Sequence, residues 1–235
     1  MKHILLLAAS AASIGSALAL TLQTYSLKRV AKIGDSAKYR LSMDVAFGDM
    51  QFKMTSTSTL KVVRVDEDGT VTTQTSQGEY KIKIKGVAEE MTAPDTEPTT
   101  AARKANGELV SLNGDRIDAS SYRLDNLNAF HAPDSPVKVG DRWTFDVKGD
   151  SKTGAVAGKA EFELLGIERV GVYESAKIRW TYQETEGATP ASSEGTVWIE
   201  VKDGSLVKSE GKLKNAPLRD APRPVDFSFT TERIG

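Results

Sequence analysis

The chain predicts an all-β protein: antiparallel meanders forming curved sheets, as a half-barrel or a sandwich, in two similar halves with one short helix between. Three observations carry this. Apolar residues recur at every second position over long stretches. Asx-Gly pairs fall between those stretches, where hairpins need them. A phrase near the start, "KIGDSAKYRL" (32–41), returns in near-copy as "KVGDRWTFDV" (138–147).

The first element is a leader. "MKHILLLAASAASIGSALAL" has a positive Lys2, an apolar stretch from Ile4 to Ile14, and a small-x-small site at Ala17-Leu18-Ala19. That pattern predicts a secretory signal peptide over residues 1–19, cut after Ala19. Ser10, Ser13, Gly15 and Ser16 break the run short of the ~20 apolar residues that span a bilayer, so the cleaved protein is not expected to be integral to a membrane. The absence of cysteine excludes lipid attachment through a lipobox cysteine, and stability must come from core burial without disulfides.

The first half, residues 20–87, opens its strands with "KYRLSMDVAF". There Tyr39, Leu41, Met43, Val45 and Phe47 fall on one face of a strand and Arg40, Ser42 and Asp44 on the other. The same alternation follows at Phe52 and Met54 and at Tyr80, Ile82 and Ile84. Polar–apolar alternation marks antiparallel sheet wetted on one face, whereas buried parallel strands read as unbroken apolar runs. Asp68-Gly69 sits between "LKVVRV" and "TVTTQT", and such pairs tolerate the positive φ of a tight hairpin. Val62-Val63 interrupts the alternation and predicts a β-bulge.

Residues 88–135 read as a connector. "AEEMTAPDTEPTTAARKAN" (88–106) holds Pro94, Pro98 and several threonines without a period, and predicts a mobile loop or bridge. Asn106-Gly107 turns the chain into "ELVSL". "DASSYRLDNLNAFH" predicts the one helix, capped by Asp118 or Ser120, with Leu124, Leu127 and Phe130 or His131 as its stripe, ending before Pro133. The second half, 136–235, repeats the alternation at Ala176, Ile178, Trp180 and Tyr182. Asp203-Gly204 then lies between "TVWIEV" and "SLVKSE", and after the Pro-punctuated "NAPLRDAPRP" a last strand carries Val225, Phe227 and Phe229.

Aligning Lys32 with Lys138 matches Gly34 to Gly140, Asp35 to Asp141, Tyr39 to Phe145 and Leu41 to Val147. Gly-Asp makes the turn and the aromatic enters the core, which predicts two related meanders in tandem.

The second half also carries "FHAPDSPVKVGDRWTFDV" and "GTVWIEVKDGSLVKSEGKL". These resemble exported bacterial β proteins of uncharacterised families, in which a Pro-Val-x-Val-Gly-Asp-x-Trp lead-in precedes antiparallel strands and a late Trp hairpin. The matching residues are Pro136, Val137, Val139, Gly140, Asp141 and Trp143, then Trp198, Gly204 and Leu206, and the resemblance covers mainly residues 128–215. It implies a Gram-negative-like envelope location and no assigned activity. More loosely, the run of long strands with a short helix looks like the lipoprotein-carrier half-barrel, whose curved sheet holds acyl chains, an analogy of fold alone.

Chemistry is sparse. Basic and acidic side chains number 31 and 32, a balance without a cationic cluster that argues against nucleic acid or an anionic membrane as partner. After the leader a single histidine remains, His131. With Asp134 and Ser135 it sits on a Pro-bounded turn where nucleophile, base and orienter cannot converge. Asp66, Glu67, Asp68 and Gly69 begin like a calcium loop, but "TVTTQTSQ" supplies no further ligands. Without cysteine, one histidine is too few for zinc. Asp146, Glu161, Glu163 and Glu200 alternate with apolar residues, as the wet face of a sheet does. No metal, cofactor or catalytic residue is expected.

The aromatics remain. Trp143, Phe145, Trp180, Tyr182 and Trp198 crowd the second half and are the candidate ligand-binding residues, because aromatic side chains suit apolar pockets as well as cores. The sequence therefore predicts a non-enzymatic exported protein, periplasmic or extracellular, binding a lipid, acyl chain or other apolar ligand in a curved sheet. Two alternatives stand beside it. One is a structural or interaction module that meets an unidentified envelope protein through 88–106. The other is an extracytoplasmic hydrolase relying on carboxylates.

Overall fold

The computed structural model describes residues 23–235 apart from 49, 94–96 and 220; the expected leader lies outside the described residues. The protein is all-β, one large curved open antiparallel sheet with a single short helix among the described residues. The strands are β1 (Ser36–Phe47), β2 (Met50–Val65), β3 (Val71–Ile84), β4 (Glu90–Ala93), β5 (Thr99–Arg103) and β6 (Leu109–Asn113). The helix α1 (Ala119–Asn128) follows, and then β7 (Arg142–Val147), β8 (Gly158–Val170), β9 (Tyr173–Glu184), β10 (Ser192–Glu200), β11 (Leu206–Ala216) and β12 (Val225–Arg233).

The sheet runs β6-β5-β3-β2-β1-β12-β11-β10-β9-β8-β7, with β4 paired to β3 off this path. It is an up-and-down meander whose chain starts in the middle. β1, β2, β3, β5 and β6 proceed to one edge, α1 and its flanks carry the chain to the opposite edge, and β7 to β12 return until β12 pairs with β1 from Tyr39↔Arg233 to Ala46↔Asp226.

Each hairpin read from the sequence forms. Gly69, Gly107 and Gly204 take φ of +81°, +93° and +69° at the β2–β3, β5–β6 and β10–β11 turns. At Gly107 the turn also needs a missing side chain, since a Cβ there would stand 2.1 Å from the Phe130 carbonyl oxygen. The expected bulge appears as a register shift between Val62 and Arg64. The stretch 88–106, expected as a loop, instead contributes β4 and β5 against β3. Its threonines suit strands, and Pro98 falls just ahead of β5, where proline costs no ladder bond.

The repeated phrase has one structure in both places. Asp35 Oδ2 accepts from the Lys32 N–H at 2.8 Å, and Asp141 Oδ2 from the Lys138 N–H at 3.0 Å. Gly34 and Gly140 both adopt φ of +94°. The Gly34 N–H reaches the Val62 carbonyl and the Gly140 N–H the Leu164 carbonyl, at 2.9 and 2.8 Å. Each acceptor directly precedes a register shift, between Val62 and Arg64 and between Leu164 and Gly166. The phrase is thus a turn that docks the start of one strand onto the bulge of the next.

One side-chain row runs across the sheet from β3 to β7, half-buried toward β3 and fully buried through β9 and β8. Ile82, Met54, Met43 and Phe229 are joined in register across β3, β2, β1 and β12. Gly211, Gly195, Trp180, Phe162 and Trp143 continue the row through β11 to β7. The paired glycines leave the room that Trp180 and Phe229 occupy: a Cβ on Gly211 would lie 3.1 Å from the Trp180 ring and 3.0 Å from that of Phe229. Leu127 on α1 and Leu164, Ile178, Val197, Ile199 and Leu213 on the sheet are nearly inaccessible and form the core between helix and concave face. Burying side chains of this size contributes roughly 1.5–3 kcal/mol each.

Candidate functional site

The crossover from β6 to β7 forms a strap over the concave face, and its sequence explains how it is held. Asp118 caps α1, accepting from the Ser121 N–H at 3.1 Å while the Ser121 hydroxyl accepts from the Asp118 N–H. On the β5–β6 side, Asp125 receives a bidentate pair from Arg103 of β5, and the Tyr122 hydroxyl donates to the Leu112 carbonyl of β6. On the β9–β10 side, Arg123 grips Glu184 of β9 through Nε and Nη2 at 2.7 and 2.6 Å, and Ser193 Oγ of β10 donates to the Leu127 carbonyl at 2.6 Å. The Glu184 side chain is 1% exposed; its second carboxylate oxygen also accepts from the Ala191 N–H. These bonds raise the pKa of Arg123 and fix the strap to both arms of the sheet.

A second segment closes one end. Tyr25 bridges to Val137, the Arg29 N–H donates to the Ala105 carbonyl, and the Val30 N–H donates to the Asp203 carbonyl. Residues 25–30 therefore tie the β5–β6 turn, the β10–β11 turn and the approach to β7 together, with Leu27 2% exposed inside. Gly204 is needed here too: a Cβ would stand 2.5 Å from the Lys28 carbonyl oxygen.

Between strap, segment and sheet lies a cavity of about 790 Å³. Its apolar wall includes Leu27, Leu60, Val62, Leu124, Ile199 and Leu206. Its cations are matched, Arg29 with Asp203 at 3.2 Å, Arg103 with Asp125 and Lys104 with Glu108 at 3.0 Å, and Asp35 also lines it. Arg233 lines it as well, its Nη1 donating to Glu200 Oε2 at 3.2 Å and to Ser205 Oγ at 3.3 Å. The ring of Tyr173 lies 4.5 Å from the Arg233 guanidinium carbon. Tyr39 pairs in register with Arg233 and donates to the Leu206 carbonyl; burial raises its pKa, against the pull of Arg233. Ser209 and Thr231 are directly opposite in register and line the cavity.

The five aromatic candidates are placed elsewhere. Trp143, Phe145, Trp180 and Tyr182 share the concave face, and Trp198 lies on the opposite one. Trp143 stacks on Phe162 and donates its indole N–H to the His131 carbonyl at 2.7 Å. Phe145 stacks on the His131 ring at 3.8 Å. Trp180 and Tyr182 are buried, and burial drives the Tyr182 pKa upward, reinforced by the Glu184 charge. Trp198 donates to Glu168 and lies under the ammonium groups of Lys177 and Lys208, at 5.4 and 4.6 Å. None of the five lines the 790 Å³ cavity. Phe130 connects the two regions: it lines the cavity and packs edge-on against Trp143 and Phe162.

His131 is 2% exposed, and neither ring nitrogen has a hydrogen-bond partner. Burial, aided by the nearby Arg103 charge, pushes its pKa from 6.5 to about 3. Of the carboxylates weighed from sequence, Glu163 pairs with Arg142 and Arg179, Glu161 with Lys159, and Glu200 with Arg233. No group of three or more histidine and acidic side chains could hold a metal among the described residues. No helix among them is long and apolar enough to cross a membrane.

No family model matches the chain, and no curated protein does. Among solved structures it is similar to a candidate exported protein with a YmcC-like fold from Bacteroides fragilis NCTC 9343, at 14% identity and a TM-score of 0.37, covering 89% of this chain and 99% of that one. It is also similar to the hypothetical lipoprotein YmcC of Escherichia coli (K12), at 10% identity and 0.31, with 84% of each chain covered. A candidate lipoprotein from Parabacteroides distasonis ATCC 8503 matches at 12% and 0.33, covering 90% of this chain and all of that one. With each TM-score below 0.5, the chain's function is argued from its own geometry.

Proposed function

We propose that this is an exported, non-enzymatic envelope protein whose curved sheet takes up an apolar or amphiphilic ligand, a lipid or acyl chain, beneath the strap. The observation that carries the reading is the 790 Å³ cavity between the concave face, α1 and residues 25–30. Its volume lies in the range of small-molecule sites, and its walls combine a mainly apolar lining with a few polar groups, as such sites do. The secretory pattern of residues 1–19 supports export. The burial of His131 without a hydrogen-bond partner supports a role without chemistry of its own. Trp143 backs the ligand wall through Phe130, with Phe145, Trp180 and Tyr182 packed in the core of the same face.

The test is native mass spectrometry of the exported protein together with titration by an environment-sensitive naphthylamine dye. Bound lipid and saturable dye uptake are expected. Ser58→Phe and Thr73→Phe, which point bulk into the cavity from β2 and β3, should abolish uptake with Tm unchanged. A protein that carries no lipid and takes up no dye would sink the proposal.

A further inference from the structure

We propose that the ligand is an acyl chain joined through a neutral ester or amide carbonyl, and that Arg233, Thr231 and Ser209 hold that carbonyl. This rests on the reading of the cavity as a lipid site and specifies which lipids it selects. A fully hydrocarbon ligand would leave the polar strip of this wall facing apolar atoms, at the cost of burying polar groups without partners.

The strip is built across two neighbouring strands. Thr231 and Arg233 both face the cavity from β12, and Ser209 is the register partner of Thr231 on β11. The hydroxyls of Ser209 and Thr231 carry no hydrogen bond among the described residues, although Ser209 is only 7% exposed and both side chains line the cavity. Arg233 spends Nη1 on Glu200 and Ser205, its Nε is buried without a partner, and Nη2 carries no hydrogen bond among the described residues. The side chain is 17% exposed and lines the cavity. Tyr173 against one face of the guanidinium and Glu200 at its end hold it in place. The two opposed hydroxyls offer a donor to each lone pair of one carbonyl oxygen, with the Arg233 guanidinium on the same cavity wall.

Charge decides which acceptor. Glu200 already neutralises Arg233, Asp203 neutralises Arg29, and Asp125 neutralises Arg103. A carboxylate or phosphate placed on this strip would bring a further negative charge close to Glu200 without an unpaired cation to offset it. An ester or amide carbonyl takes the same donors and adds no charge. Free fatty-acid anions are thereby disfavoured and acylated neutral groups selected, with the hydrocarbon running along Leu60, Val62, Leu27, Ile199 and Leu206.

Isothermal titration of the full exported protein with 1-dodecanoylglycerol and with dodecanoate at about pH 8 tests this. The ester is expected to bind about tenfold or more tightly than the anion. Thr231→Val, which keeps the β-branched shape, and Ser209→Ala should each weaken the ester about fivefold, the value of one neutral hydrogen bond, and leave dodecanoate unchanged. Equal affinities for the two ligands, or hydroxyl variants that bind the ester as wild type does, overturn the selection of a carbonyl while leaving a lipid cavity standing. Failure of both ligands and of the naphthylamine dye removes the cavity reading and this inference together.

Discussion

Removing the titration of His131 should make the fold measurably less sensitive to mild acid. The imidazole is the one histidine among the described residues, lies between Phe145 and Phe162, and sits in the strap just after α1. Its pKa falls from 6.5 to about 3 on folding, so between those values the unfolded chain binds a proton that the folded one refuses. Stability from this group is therefore complete above about pH 6.5 and is lost as pH falls toward 3. The slope is about 1.4 kcal/mol per pH unit, which gives ~2 kcal/mol between neutrality and pH 5 and ~5 kcal/mol over the whole window. Urea unfolding followed by tryptophan fluorescence, at about pH 7.5 and pH 5, reads this directly, since Trp143 bonds the His131 carbonyl. In His131→Leu the side chain fills an apolar slot and cannot charge. Its stability should fall ~2 kcal/mol less than wild type between the two pH values. Parallel losses in the two proteins would refute the burial argument, because every other titrating group is common to both.

Other outcomes follow from contacts already described. Arg123→Ala leaves the Glu184 carboxylate buried and unpaired and should cost about 3–5 kcal/mol by denaturant unfolding; a loss below 1 kcal/mol would mean that the strap is not held there. Gly107→Ala meets both a positive φ and the Phe130 carbonyl, and should lower stability by more than about 2 kcal/mol, with Gly34→Ala, which meets open space, losing less. Asp35→Ala and Asp141→Ala each remove the same turn bond, so each should cost about 1 kcal/mol and the double variant their sum; strongly unequal costs would count against the equivalence of the two turns.

Local features of this fold were legible because they depend on neighbours in sequence. Alternation placed the strands, Asp68-Gly69, Asn106-Gly107 and Asp203-Gly204 placed hairpins, Val62-Val63 placed a bulge, and Asp118 was one of two caps considered for the helix. The permuted strand order was not legible. Pairing β1 with β12 joins Tyr39 to Arg233, and nothing in either segment names the other. The candidate site was harder for the same reason. Its wall gathers Leu27 from the irregular N-terminal segment, Leu60 from β2, Leu124 from α1 and Ile199 from β10, none notable alone. Trp143 and its neighbours drew attention by size, and size is what packs a core. Glu184 has no local sequence signal that sets it apart, because its partner Arg123 is distant in sequence.

The seam of β1 on β12 gives the molecule a cohesion that does not depend on its connector. A protease cut at the exposed Asp134-Ser135 step would leave two fragments still zipped along the middle of the sheet from Tyr39 to Ala46. Expressed separately, the two fragments should find each other as a split protein does, and the connector's length would then govern how far the outer rims can splay rather than whether the fragments stay together.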